Sequence, residues 1–369
     1  MAVKIYVAST GQHKGKTTST LGLVASLQTM GFQVGYCKPV GQKFLTVEGK
    51  IADKDAVLFA KMLKFKIIPE VHSPVILGPG ATTRFLDNPS KYNYVDNILY
   101  AAKEIEKDSD VVVYEGTGHP GVGSVVNLSN AQVAKLLGAS VIMVVEGGVG
   151  STIDRLNMSM ALFREEKVPI IGVIINKVKA EKIERIRFYL EPKLAEMGIP
   201  LLGLLPYDPT LSFPIISTIC KAVKAKVHYF TDHLDNKVEQ ILAGSLIDTH
   251  EFTSLENILL VVSHKRFSEA IEKIQKISDD KKLKRCPLSG VLVTGDGRAE
   301  NWYDGENLFD EYLQESKVPI LTTSLDTYGS VVKISQIEVK INTHTPWKVK
   351  RAIELIRQNV DLEKLAKAD

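Results

Sequence analysis

The stretch that decides the fold is Ser9-Thr10-Gly11-Gln12-His13-Lys14-Gly15-Lys16-Thr17-Thr18-Ser19-Thr20, directly after the apolar run Val3-Lys4-Ile5-Tyr6-Val7-Ala8. The run reads as a buried strand. The residues from Gly15 to about Met30, closed by Gly31, read as a helix. A strand, a glycine-bearing loop and a helix opening on Gly-Lys-Thr make a cradle for phosphate. Loop amides turn inward, the helix N-terminus attracts the anion, the lysine reaches the terminal phosphates and the hydroxyl holds Mg2+. On this reading Gly11, Gln12, His13, Lys14, Gly15, Lys16, Thr17 and Thr18 contact ATP, Lys16 is catalytic and Thr17 is a metal ligand. The usual spacing, Gly-x-x-x-x-Gly-Lys-Thr, puts glycine at position 10, where this chain has Thr10. Two readings stand: a nucleotide site with altered spacing, or a capped helix behind a glycine turn. The strand–loop–helix context favours the first.

Further strands read at 34–37, 111–114, 141–145, 171–175 and 201–205. They are rich in Val and Ile and mostly do not alternate with polar residues, which describes strands buried on both faces of a parallel sheet. Helical patterns fall at 54–64, 92–107, 130–137, 152–166 and 180–196. The expected fold is α/β, a P-loop NTPase-type, mostly parallel sheet flanked by helices. After Pro206-Tyr207-Asp208-Pro209 the pattern begins again, with strands at 258–262, 290–294 and 318–322 and helices near 267–278, 305–316 and 346–358. The predicted division is residues 1–211 as the nucleotide-binding domain and 212–369 as a second, smaller α/β domain; 211–250 is ambiguous.

The bulk composition agrees with two domains. A length of 369 residues exceeds what one core usually supports, and the apolar and charged fractions, 44% and 24%, are those of an ordinary globular protein. A net charge of +3 gives no argument for a nucleic acid or membrane partner, and the run Lys281-Lys282-Leu283-Lys284-Arg285 reads as a solvated turn. Cys37, Cys220 and Cys286 are far apart, odd in number and in no metal spacing. They predict reduced thiols and a cytoplasmic location. The N-terminus lacks signal-peptide anatomy, and no apolar run approaches the ~20 residues a bilayer span needs.

Two acids strengthen the phosphate reading. The strand ending Tyr114-Glu115-Gly116 places Glu115 where ligand crevices open in α/β sheets, and a carboxylate there suits Mg2+. Asp55 opens a helix in Ala52-Asp53-Lys54-Asp55-Ala56 and is either a second metal ligand or a first-turn acid; Asp53 reads as the N-cap. Lys38 follows the second strand, in Tyr36-Cys37-Lys38-Pro39-Val40, and is a candidate to neutralise developing phosphate charge. His119 is either a loop histidine or a base, and Arg84 either an anion contact or a partner for a carboxylate.

These pieces together resemble the dethiobiotin synthetase family of P-loop proteins. Thr10 to Thr17, Lys38-Pro39-Val40 and Glu115-Gly116-Thr117-Gly118 match its ordered motifs over about residues 1–210. The family also lacks glycine at the position of Thr10. The resemblance implies that Asn176, with Lys177, and Pro206-Tyr207 recognise the base, that Asp55 is a metal ligand with Thr17 and Glu115, and that the protein is a homodimer. The substrate-contacting segment would be His72-Ser73-Pro74-Val75-Ile76 to Arg84 with the loop after Glu115. Nearly the whole chain also resembles the N-terminal part of long bacterial phosphotransacetylases, in which such a domain precedes one named DRTGG. Residues 289–325 and the closing stretch from Lys348 look like that second domain, although Asp-Arg-Thr-Gly-Gly itself does not occur.

No acetyl-transferring or glutaminase domain reads in the sequence. Position 11, where cell-division and nitrogenase-type relatives carry a signature lysine, is Gly11. The expectation is a Mg-ATP-binding protein with a regulatory or interaction domain that takes a small-molecule effector or a protein partner. The alternatives are an ATP-dependent ligase acting on a small carboxylate or amine, and a degenerate scaffold with weak nucleotide binding. In the second domain the strand ends His264-Lys265-Arg266, Gly295-Asp296-Gly297-Arg298 and Asp326-Thr327-Tyr328-Gly329 either line one crevice or cap an α/β layer.

Overall fold

The computed structural model describes residues 2–244, 255–295, 308–362 and 365. The chain forms two compact units, Met1–Asp208 together with Ile341–Asp369, and Pro209–Lys340.

The first unit is built on six strands: β1 (Val3–Ser9), β2 (Val34–Cys37), β3 (Val111–Glu115), β4 (Ser140–Glu146), β5 (Ile170–Val178) and β6 (Leu201–Pro206). Their order is β6-β5-β4-β1-β3-β2, and every neighbouring pair is parallel. The continuous apolar runs are explained by two cores, one on each face. Ile5, Val7, Val113, Ile142, Val144 and Ile174 point to one side, and Tyr6, Ala8, Tyr114, Met143, Val145 and Ile175 to the other. The connecting helices are α1 (Lys16–Thr29), α2 (Lys54–Leu63), α3 (Tyr94–Glu106), α4 (Asn130–Leu137), α5 (Gly150–Glu165) and α6 (Ile183–Glu196). From β1 the chain steps to one side of the sheet, and from β3 it crosses β1 to β4 on the other. The loop after β1 therefore opens at a topological switch point, where open α/β sheets take their ligands. A short hairpin, Phe44–Val47 with Lys50–Asp53, and the parallel pair Val40–Gly41 with Val75–Ile76 elaborate the connection after β2.

Among the described residues the second unit has a five-stranded sheet where the sequence suggested three strands. It contains β7 (Lys226–Tyr229), β8 (Gln240–Ala243), β9 (Ile258–Ser263), β10 (Leu288–Thr294) and β11 (Ile320–Thr323), in the order β7-β11-β10-β9-β8. Only β7 runs antiparallel to its neighbour. The two additional strands are short, half-exposed and at the edges, so they lack the apolar runs that reveal the central three. Helices α7 (Ile216–Val223) and α10 (Thr327–Ser335) cover one face through Ile216, Ile219, Val223 and Ile334. Helices α8 (Phe267–Asp280) and α9 (Glu311–Glu315) cover the other through Phe267, Ile271, Ile274 and Leu313.

The closing helix α11 (Pro346–Asn359), which the sequence reading assigned to the second domain, packs in the first unit. It lies along α1, whose residues from Ser19 to Leu27 are all buried. A helix buried around its whole circumference needs cover on two sides. The sheet supplies one side and α11 the other, through Val349 and Ile356, with Val360 just past the helix joining the same core. Gly22 makes the approach close: a Cβ there would stand 2.8 Å from the Ala352 carbonyl oxygen. Beyond the helix, Val360 bridges Gly203 and the Asp361 amide donates to the Leu202 carbonyl, 2.9 Å away, fastening the segment to β6. Arg351 Nε also donates to the Asp208 carboxylate.

Candidate functional site

The loop after β1 is held from three directions. Ser9 Oγ donates to the carbonyls of Gly11 (2.8 Å) and Gly118 (3.2 Å), and the Thr10 amide to Val144 O (3.1 Å). His13 and Gly15 take left-handed φ values of 59° and 92°. At Gly15 a side chain would also collide with Asn176, so glycine is required there twice over. From the end of β5, Asn176 Nδ2 donates to Lys14 O (2.9 Å) and Lys177 Nζ to His13 O (2.8 Å). Glu146, at the end of β4, pairs with Lys14, with Lys177 at 3.2 Å and with Arg155 at 3.7 Å. Partial burial acts to raise its pKa, but the hydrogen bonds and charges of Lys14 and Lys177 outweigh that and lower it. Helix α1 begins at Lys16 with Gly15 as its N-cap, and no side chain caps its first turn. Its leading amides and positive dipole end are thus presented at the loop, the general requirement for an anion site. Gln12 and His13 lie exposed at the loop tip, and Gly11 and Thr18 are half-buried.

Beneath the loop, acids and lysines converge. Glu115, wholly buried at the end of β3, accepts from Thr17 Oγ1 at 2.7 Å and from the Tyr36 hydroxyl at 2.9 Å. Lys38 Nζ, also buried, pairs with Asp55 and lies 3.4 Å from Glu115 Oε1. Burial alone would lower the Lys38 pKa; Asp55, Glu115 and Asp53 more than reverse this and keep the ammonium charged. Asp53 caps α2 through the Asp55 amide (2.8 Å) and also accepts from the Gln42 amide (3.2 Å). Burial pushes its carboxyl up to about 6 despite Lys38. Lys16 Nζ donates to Gly118 O at 3.1 Å, so the segment after Glu115 receives the loop lysine. Pro206 ends β6, and the Tyr207 amide donates to Val178 O (2.6 Å), leaving the ring half exposed at the same edge of the sheet.

Several residues central to this arrangement were missed from sequence. Asn130, the first residue of α4, is buried and fully engaged. Its Oδ1 accepts from the Tyr6 hydroxyl and the Thr117 amide (both 2.8 Å), and its Nδ2 donates to the carbonyls of Thr117 (2.8 Å) and His119 (2.6 Å). It fixes the Glu115–His119 segment, with Thr117 Oγ1 bonded to Val40 O. Tyr36, stacked on Phe59 with centroids 3.7 Å apart, orients Glu115. The sequence reading gave only a helical pattern at 130–137 here; in the structure Ser129 and Gln132 form a capping box at the start of α4.

Other candidates have local partners. His119 is exposed, and its Nδ1 accepts from the Gly121 amide (3.2 Å). His72 stacks on Phe65 and bonds the Ile68 backbone. Arg84 is exposed. In the second unit His264–Arg266 form a turn after β9, and Asp326 caps α10 through the Gly329 amide (2.7 Å). Asp296, Gly297 and Arg298 lie outside the described residues.

Thr17 Oγ1 bonds Glu115 directly and Lys38 links Glu115 to Asp55, so three side chains with hard oxygen donors are joined beside the loop. Among the described residues no three His, Cys, Asp or Glu side chains are grouped to enclose a metal. A divalent ion here would take at most two carboxylates and a hydroxyl, leaving its other positions to phosphate and water. That sparse oxygen set fits Mg2+ shared with a nucleotide.

A parallel sheet whose central strand runs into Gly15-Lys16-Thr17 at a helix N-terminus, with a buried acid on the neighbouring strand, defines a P-loop NTPase-type domain. The chain belongs to the AAA_26 family, described as an AAA domain, which matches residues 3–214. It is 22% identical over 374 residues to a phosphate acetyltransferase of Synechocystis, covering 99% of this chain and 51% of the relative. It is 27% identical over 238 residues to a probable cobyric acid synthase of Methanocaldococcus jannaschii, covering 58% of this chain and 47% of the relative. The chain thus spans about half the length of these curated relatives. Among solved structures, the septum site-determining protein MinD of Pyrococcus horikoshii, complexed with Mg-ADP, is 21% identical. It covers 57% of this chain and 84% of that one, with a TM-score of 0.36. No helix among the described residues is long and apolar enough to cross a membrane.

Proposed function

We propose that the first unit binds Mg-ATP and that the second unit reads out that binding, as a regulatory or interaction module of the DRTGG type. The observation that carries this reading is the 2.7 Å contact between Thr17 Oγ1 and buried Glu115 under an uncapped helix N-terminus. Loop amides from Gly11 to Thr18 and Lys16 Nζ hold the phosphates, and Thr17, Glu115 and Asp55 are the residues that would hold Mg2+. The ion's contribution is to neutralise phosphate oxygens. Lys38 adds a buried positive charge beside them. Asn176 keeps the loop closed from below, and Pro206-Tyr207 form a wall for the base. In the relatives matched over nearly this whole chain, the comparable half is attached to further sequence. We therefore read this chain as the nucleotide-responsive part of such a system, working as a homodimer in the cytoplasm.

Thermal shift with Mg-ATP and ATP consumption, measured together, test the proposal. A rise in Tm with little turnover is expected, unchanged by 7,8-diaminopelargonate and bicarbonate. Turnover stimulated by those two compounds would replace this reading with the ligase one, and the absence of any shift would remove the nucleotide reading altogether.

A further inference from the structure

The cation position under the loop already holds a positive charge. Lys38 Nζ pairs with Asp55 and lies 3.4 Å from the Glu115 oxygen that also accepts from Thr17 Oγ1. Asp53, itself almost fully buried, adds a third acid to the same neighbourhood. Lys38 is anchored at its backbone, where its amide donates to His72 O at 2.8 Å, so its charge is delivered by a long, pivoting side chain. The same oxygens are the ones a divalent ion would need. Both cations cannot occupy them together, because like charges at that spacing repel strongly in a buried site.

We propose that Lys38 is a resident counter-ion that keeps the divalent-cation position occupied, so that metal enters by exchanging with the Lys38 ammonium and not by filling a vacant site. This rests on the metal-site part of the reading above. The exchange has two consequences. Divalent cation alone binds poorly, since it must break a buried ion pair without phosphate to receive the displaced lysine. When Mg2+ arrives with a triphosphate, the released ammonium swings toward the phosphate oxygens, so metal entry and Lys38 delivery become one event.

The test uses the full chain and MgCl2 without nucleotide. Lys38→Met removes the charge and keeps much of the side-chain length and packing. The wild type should show the same Tm in EDTA and in MgCl2. Lys38→Met should melt lower in EDTA, because buried acids are left uncompensated, and recover by about 5 °C or more on adding MgCl2. Its Mg2+ affinity by titration calorimetry should exceed the wild type's by about tenfold or more, or about 1.4 kcal/mol. The double variant Lys38→Met with Glu115→Gln removes an acid along with the lysine. It should regain stability in EDTA and lose the Mg2+ response. If Lys38→Met is insoluble without metal, refolding from urea in MgCl2 makes the same distinction: recovery supports the exchange and no recovery overturns it. An equal response of wild type and Lys38→Met to MgCl2, or no response by either, also overturns it. Failure of the nucleotide reading is seen separately, as a wild type that ignores Mg-ATP while Lys38→Met still responds to MgCl2.

Discussion

Ile356→Ala tests the finding that the closing helix belongs to the nucleotide-binding unit. Ile356 is fully buried on α11 against Gly22 of α1, the helix that starts with Lys16 and Thr17. The substitution removes three carbons. At about 0.8 kcal/mol for each buried methylene, the transfer loss is about 2.4 kcal/mol. The cavity adds to this, since two tightly packed helices relax only partly, giving a total of about 3–4 kcal/mol. With an m-value of about 2.5 kcal/mol/M in urea, the midpoint should fall by about 1–2 M. The chain has two tryptophans, and Trp347 sits at the start of α11. In a Trp302→Phe background, Trp347 fluorescence follows this helix alone, and protection by Mg-ATP identifies the transition of the first unit. Ile334→Ala, in a core of the second unit, serves as the control. The reasoning is refuted if Ile356→Ala leaves the Mg-ATP-protected transition where it was, or lowers only the transition that Ile334→Ala lowers.

Gly15→Ala forces a left-handed residue to carry a Cβ that collides with Asn176, so Mg-ATP affinity by calorimetry should drop about tenfold or more, and unchanged affinity would contradict the loop geometry. His119→Ala should leave that affinity within about twofold, since the ring is exposed and bonded only within its own turn. Lys348, fully buried on α11 with Nζ 5.0 Å from the Trp347 ring centroid, has its ammonium pushed by burial down to about 7. The unfolded chain holds that proton up to about pH 10.4, so between those values it binds more protons than the folded one and stability rises with pH. The wild type should gain about 2 kcal/mol from pH 7 to pH 9 in urea unfolding. Lys348→Met should lose most of that slope and be more stable at pH 7; an unaltered slope would show that another group titrates.

The first unit was legible because its strands are buried on both faces. Runs such as Val111–Tyr114 and Val141–Val145 have no polar position to confuse their period, and each matches an observed strand within a few residues. The placement of Lys16 and Thr17 at a helix start and of Glu115 at a strand end was legible because both are local features. The closing helix was not. The apolar positions of Lys348–Asn359 declare an amphipathic helix but not which surface it covers. The signal lay elsewhere, in an α1 whose residues Ser19–Leu27 are nearly all small or apolar and therefore demand a second covering layer. Asn130 and Tyr36 were missed for a related reason. Their roles come from hydrogen bonds to residues 11 to 124 positions away, which no local pattern encodes. The edge strands β7 and β8 escaped notice because half-exposed four-residue segments carry too few apolar positions to set a period.

The central claim is that amides from Gly11 to Thr18 enclose a triphosphate whose cation is held by Thr17, Asp55 and Glu115. Titration calorimetry of ATP into the wild type and Lys16→Ala, each with Mg2+ and with EDTA, tests it most directly. Saturable binding by the wild type that requires Mg2+ and is lost in Lys16→Ala is the predicted result. Binding that is equal in both proteins, or indifferent to Mg2+, would contradict it.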